Sequence, residues 1–187
     1  MQGDKTQISE QEVVADYISF LEIDKALSKN SIGAYQRDLQ KLKSFYPQSA
    51  LANLEASDMD AFVASLFKTG LSVKSIARII SGLKSFYRFL VSEELLDKNP
   101  IAHIETPKIP RKLPDVLSHQ EIDLMLSSID LSTPAGERDK LIIMLLYGCG
   151  LRVSELINLE QEWVYMEEGF IQVLGKGNKE RLVPFGN

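Results

Sequence analysis

The chain has 187 residues, 44% of them hydrophobic and 25% charged, with a net charge of −5. That balance excludes a disordered or fibrous chain and leaves room for one globular domain or two small ones. No apolar run reaches the roughly 18 residues of a membrane span. The start, "MQGDKTQISEQEVV", lacks the apolar core of a secretion signal, and the single cysteine, Cys149, cannot close an internal disulfide; together these predict a reducing cytoplasm.

The first hundred residues read as four helices. "SEQEVVADYISFLEID" opens on Ser9 with Glu12 three positions on, a reciprocal cap, and Val13, Tyr17, Phe20 and Leu21 follow at helical spacing. "SKNSIGAYQRDLQKLKSFY" repeats the pattern with Ile32, Tyr35, Leu39, Leu42 and Phe45. "SDMDAFVASLF" is predicted to start on Ser57, with Asp60 as its capping partner. "SVKSIARIISGLKSFYRFLVSEEL" is the longest of the four. Short turns between them predict a small helical bundle over residues 1–98. Residues 99–116 hold four of the seven prolines, so no helix crosses them. They read as an extended linker carrying Lys108, Arg111 and Lys112.

A second domain is expected over residues 117–187. Ser118 and Glu121 form another cap, "ERDKLIIMLLYGCG" is an apolar helix expected to pack in a core, and "LRVSELINL" is a short helix after the glycines. In "GFIQVLGKGNKERLVPFG" the period changes: apolar residues flank a glycine-rich turn, which predicts a β-hairpin.

An acidic chain can still present one basic face, and residues 31–88 hold eight Lys/Arg against four Asp/Glu. On a helix over 73–90, Lys74, Arg78, Ser81, Lys84, Ser85 and Arg88 fall in one arc of about 120°. Ile76, Ile79, Ile80, Leu83, Phe86, Tyr87 and Leu90 fill the opposite arc. A solvated helix face usually mixes signs, since like charges four apart repel. Four cations with no acid point to a surface that contacts phosphates, helped by Ser31, Tyr35 and Arg37 near the start of the second helix.

In the second domain "GCGLRVSEL" places Arg152 just after two glycines, with Glu155 one turn later. On local sequence alone Arg152 is either half of a structural ion pair or a fork that Glu155 orients toward a phosphate. "GKGNKER" carries Lys176, Lys179 and Arg181 but satisfies neither a Walker loop nor a dinucleotide fingerprint. It reads either as a solubilising hairpin tip or as a basic hairpin that enters a DNA groove.

"GLRVSEL" followed by "GKGNKERLVP" resembles the tyrosine recombinases, in the bacterial Xer subgroup. "LSKNSIGAYQRDLQKL", "SIARIISGLKSFYRFLVSEELLDKNP" and "PKIPRKLPDVLS" resemble that subgroup's N-terminal domain and linker. The resemblance implies a mainly α fold: a four-helix SAM-like core-binding bundle, the linker, and the first part of an α+β catalytic domain ending in the hairpin. It also implies a metal-free and cofactor-free reaction, in which a tyrosine attacks the scissile phosphate, forms a 3′-phosphotyrosine and frees a 5′-hydroxyl. Arg152 matches the first catalytic arginine, Glu155 the acid that orients it, and Lys176 the hairpin lysine that protonates the leaving 5′-oxygen. Lys179 and Arg181 are expected on phosphates, with Lys74, Arg78, Lys84, Arg88 and Lys112 holding the duplex.

The rest of the family's catalytic set is not matched. His103 and His119 are the only histidines, and neither has an arginine three positions on. The six tyrosines, Tyr17, Tyr35, Tyr46, Tyr87, Tyr147 and Tyr165, all lie in the wrong region for the nucleophile. The chain is therefore expected to correspond to about the first three-fifths of a recombinase and, alone, not to cleave DNA. The implied partners are double-stranded DNA at a specific site, a tetramer on two sites, a related recombinase and a division-linked activator, with no membrane. Chromosome dimer resolution is the leading role. The alternatives are the integrase of a mobile element, a naturally short non-catalytic DNA-binding protein, and a helical protein-interaction module.

Overall fold

The computed structural model describes residues 9–109, 113–175 and 179–185. They form two compact units that divide between Lys112 and Leu113.

The first unit is a helical bundle: α1 (Glu10–Ile23), α2 (Lys29–Phe45), α3 (Ala56–Lys68) and α4 (Val73–Ser92), with a short 3-10 turn at Leu51–Asn53. Each helix starts where a side chain satisfies backbone N–H groups that have no partner within the helix. The Ser9 hydroxyl accepts from Glu12 N at 3.3 Å, and Ser9 N donates to the Glu12 carboxylate at 2.8 Å. At α2 and α4 the Ser28 and Ser72 hydroxyls accept from Ser31 N and Ser75 N, without the return bond. α3 differs from the sequence reading by two residues. Its cap is Glu55, whose N–H donates to Asp58 Oδ2 at 2.8 Å, and Met59, Phe62, Val63 and Leu66 of the helix are buried.

The apolar arc of α4 is the spine of this core. Ile76, Ile79, Ile80, Leu83, Phe86, Tyr87 and Leu90 are each at most 1% exposed. Tyr17 of α1 packs edge-on against Phe86 with ring centroids 5.2 Å apart, and the Tyr87 hydroxyl donates to the Leu51 carbonyl at 2.8 Å. Burial raises the pKa of both phenols, so they stay protonated and structural. Beyond α4 the chain turns back on the bundle. Ile101 is fully buried and Ile104 packs beside the same core, so the proline-rich segment belongs to the bundle at least that far.

The second unit holds α5 (His119–Ser127), α6 (Pro134–Gly148), α7 (Val153–Ile157) and a three-stranded antiparallel sheet. The strands are β1 (Val164–Tyr165), β2 (Phe170–Leu174) and β3 (Glu180–Pro184), in the order β1-β2-β3. In the hairpin Ile171 pairs with Val183 and Val173 with Arg181. Leu151, Ile171 and Val173 are the buried centre, with Leu145, Leu156 and Val183 packed around them. The expectation that α6 is wrapped in a core is not met among the described residues. Leu141, Met144 and Tyr147 are 56%, 50% and 43% exposed, and only Gly136 of that helix is buried. The helix is apolar on more sides than the sheet and α7 cover.

Candidate active site and nucleic-acid interface

In the second unit the turn after α6 delivers Arg152. Gly150 has φ +60°, a conformation open to glycine at little strain, and it lets the chain reverse within two residues. Leu151 is then buried and Arg152 stands at the start of α7. One turn on, Glu155 points back. Its carboxylate accepts the Arg152 backbone N–H at 2.8 Å and Arg152 Nη1 at 2.7 Å.

A third group reaches the same carboxylate from the sheet. Arg181 donates through Nη1 at 2.7 Å to Oε1 and through Nη2 at 2.8 Å to Oε2. Strand parity explains this. Arg181 pairs with Val173 and alternates with Val183, so it lies on the inward face of the hairpin, while Glu180 and Leu182 face out. The Glu155 side chain is 3% exposed, against 65% for Arg152 and 37% for Arg181. The Arg181 guanidinium, with the Arg152 backbone N–H, holds the Glu155 carboxyl far below the usual carboxylate range. The cluster thus has two guanidinium charges and one permanent carboxylate, a net charge of +1. Arg152 keeps outward N–H groups for an anion, since its fork has five donors and the carboxylate takes few of them.

Sequence reasoning placed Arg181 on a phosphate; the geometry gives both of its terminal nitrogens to Glu155. The alternation of Ile171, Val173, Arg181 and Val183 carried that signal. Glycine matters next to the cluster too: a Cβ on Gly175 would lie 3.3 Å from Arg181 Nη1 and 3.7 Å from Glu155 Oε1. Lys179 is exposed, and its carbonyl accepts the Gly175 N–H at 2.7 Å. Lys176, expected on the hairpin, and Lys112, expected in the linker, lie outside the described residues.

In the first unit the sequence-predicted contacts lie on α2 and α4. Lys74, Arg78 and Arg88 are exposed and Lys84 is half-buried. Arg88 Nε donates to the Lys84 carbonyl at 3.1 Å, which lays its side chain back along the helix. Ser31 and Tyr35 are half-buried and Arg37 is exposed on α2. The α4 arc itself holds no acid, but its cations are not all uncompensated. Asp38 of α2 is 1% exposed and takes both terminal nitrogens of Arg78, at 2.6 Å each. Asp38 sits at the edge of the apolar stripe of Ile32, Tyr35, Leu39 and Leu42, where a carboxylate needs a partner. That edge position was the available signal, though it does not say which cation answers.

Residues 14–94 match the N-terminal SAM-like domain of phage integrases, and residues 115–187 match the phage integrase family itself. The chain belongs to the phage integrase family, the tyrosine recombinases. Its similarity is high to tyrosine recombinase XerD of Staphylococcus haemolyticus, with 43% identity over 94% of this chain and 60% of that protein. XerD of Staphylococcus aureus is 41% identical over the same shares. The chain thus spans 60% of the length of these curated relatives. Its fold resembles a lambda integrase tetramer bound to a Holliday junction, with TM-score 0.75 and 17% identity, covering 98% of this chain and 52% of that one. It also resembles the Tn1549 transposon integrase in complex with circular intermediate DNA, with TM-score 0.67 and 21% identity, covering 94% and 61%.

Proposed function

We propose that this chain is the DNA-holding bundle and the phosphate-gripping portion of a recombinase that cuts and rejoins DNA at a specific site. The observation that carries this is the Arg152–Glu155–Arg181 cluster, set on a chain whose two halves each match phage integrase domains. Arg152 binds the non-bridging oxygens of the scissile phosphate and stabilises the charge that grows there in the transition state. Glu155 does no proton transfer, because its carboxyl stays ionised. It fixes the rotamer of Arg152, and Arg181 fixes Glu155 in turn. Such a fork is held before substrate arrives, so little reorganisation is needed at the moment of reaction.

Lys176 donates the proton that lets the 5′-oxygen leave as a hydroxyl, while a tyrosine oxygen takes the phosphorus. That tyrosine is none of the six in this chain, so the chain alone binds DNA without cutting it. The reverse step, attack by a 5′-hydroxyl of a partner strand, restores the phosphodiester and frees the tyrosine. The phosphotyrosine conserves the bond, so no nucleotide is consumed. In a whole recombinase the unit of action is a tetramer on two duplexes, joined by a related recombinase and a division-linked activator. We assign it to resolution of circular chromosome dimers, because the relatives sharing 41% to 43% identity are Xer recombinases. A cytoplasmic location goes with that role, and no helix among the described residues is long and apolar enough to cross a membrane.

Fluorescence anisotropy of a labelled duplex across a salt series tests the binding half. The logarithm of the association constant should fall linearly with the logarithm of salt concentration, by about 0.9 for each phosphate engaged. Absence of salt-dependent binding would favour a protein-interaction module instead.

A further inference from the structure

Among the described residues of the bundle Asp38 is the one buried charge, and the proposed function does not yet use it. We propose that Asp38 is a positioning residue for DNA binding: it holds the Arg78 guanidinium in one orientation on the α4 face, with its remaining donors turned toward a phosphate. This rests on the DNA-contact reading of that face.

Three observations carry it. First, the contact is bidentate, Nη1 to Oδ2 and Nη2 to Oδ1 at 2.6 Å each, the geometry that fixes the plane of a guanidinium as well as its place. Second, the exposures are unequal: the Asp38 side chain is 1% exposed and that of Arg78 is 49%. The acid is out of reach of a ligand, while the cation is half in solvent. Of the five N–H donors of Arg78, the two facing Asp38 are used, and Nε–H with the two outer N–H groups remain. Third, the backbone makes room for the acid. A Cβ on Gly82 would lie 2.6 Å from Asp38 Oδ2, so any larger residue at that point of α4 would force the carboxylate to shift from where it meets Arg78. Glycine inside a helix is unfavourable by roughly 0.5–1 kcal/mol relative to alanine. A buried ion pair is also a poor source of stability, since packed apolar residues of like volume often do as well or better. Two local sacrifices that converge on one guanidinium are explained by the orientation they give it.

The proposal makes a prediction opposite in sign to simple charge counting. Asp38→Asn removes a negative charge from beneath the basic face, so electrostatics alone predicts tighter DNA binding. Positioning predicts weaker binding, because an amide cannot hold both nitrogens of the fork. The experiment is duplex-binding anisotropy on the full 187-residue chain, with a labelled mixed-sequence duplex, over a salt series, and with circular dichroism of each variant. Arg78→Gln should weaken binding and lower the salt slope by about one ion. Asp38→Asn should weaken it about three- to tenfold, and should add nothing in the Arg78→Gln background.

Unchanged or tighter binding by Asp38→Asn overturns the proposal. So does an equal loss in the Arg78→Gln background, which would mark Asp38 as structural support only. Should Asp38→Asn not fold, Arg78→Lys decides at a half-exposed site. It keeps the charge and loses the fork, so affinity equal to the unaltered chain overturns the proposal and a loss supports it. If Arg78→Gln binds as tightly as the unaltered chain, the DNA reading of this face fails, and Asp38 has no role in binding.

Discussion

At the scale of single residues, the proposed function puts the chemistry on Arg152 and Glu155. Arg152→Ala in a whole recombinase bearing this sequence should lower covalent DNA trapping by about 100-fold or more, the usual effect of removing one transition-state donor. Duplex affinity should change little, because the proposed function gives most phosphate contacts to the bundle. Glu155→Gln keeps the size of the side chain but cannot accept from both arginines at full strength. Trapping should fall by about tenfold, with affinity again nearly unchanged. The pH dependence has a definite sign. The folded carboxyl titrates below its ordinary value of 4.5, so its contribution is present above that value and is lost only as pH falls toward the lowered one. Between about pH 5 and pH 8 the rate profile should contain no step from Glu155. Local sequence left Arg152 open between an ion pair and a phosphate ligand. The structure shows the ion pair, and because it leaves Arg152 65% exposed the two readings do not exclude one another.

At the scale of elements, the helices were legible because period and cap agree. The α4 arc holds seven apolar residues, and all seven are core. At α3 the sequence reading took Ser57 with Asp60 as the cap, and the structure starts the helix two residues earlier. Ser57 with Asp60 and Glu55 with Asp58 have the same spacing, so spacing by itself does not separate them. The hairpin was legible as a turn between apolar strands, and Arg181 shares the face of Val183 by parity, but nothing local shows that Glu155 of α7 meets it there. The partner of Asp38 was not legible, since Arg78 lies 40 residues away and only the α2–α4 crossing joins them. That crossing gives a stability test. Gly82→Ala puts a methyl group into the space of the Asp38 carboxylate, and should destabilise the bundle by about 1–3 kcal/mol. For a domain of this size the thermal midpoint should fall by several degrees, on the order of 4–8 °C per kcal/mol.

For the whole molecule, the acidic total and the basic face coexist because the charges are segregated. The net charge is −5, yet Lys74, Lys84 and Arg88 have no ion pair among the described residues. The two units also differ in how much core they own. Among the described residues the first buries twenty-one in one cluster, including Ile101 beyond α4, and Ile101→Ala should cost it about 2–5 kcal/mol in chemical denaturation. The second centres on three, Leu151, Ile171 and Val173, with α6 largely uncovered. Limited proteolysis should therefore cut the second unit first and leave a product ending near the junction at Lys112. The apolar character of α6 was legible in "LIIMLLY"; its exposure was not, because sequence gives the width of an apolar face but not what covers it.

The most direct measurement of the central claim is covalent capture of a nicked recombination site by a whole recombinase carrying this sequence, run beside duplex binding by the same protein. The unaltered protein should accumulate a 3′-phosphotyrosyl complex, and Arg152→Ala should bind the site with similar affinity while capturing about 100-fold less of it. Equal capture by both proteins, or a loss of capture that only mirrors a loss of binding, would contradict the assignment of Arg152 to the scissile phosphate.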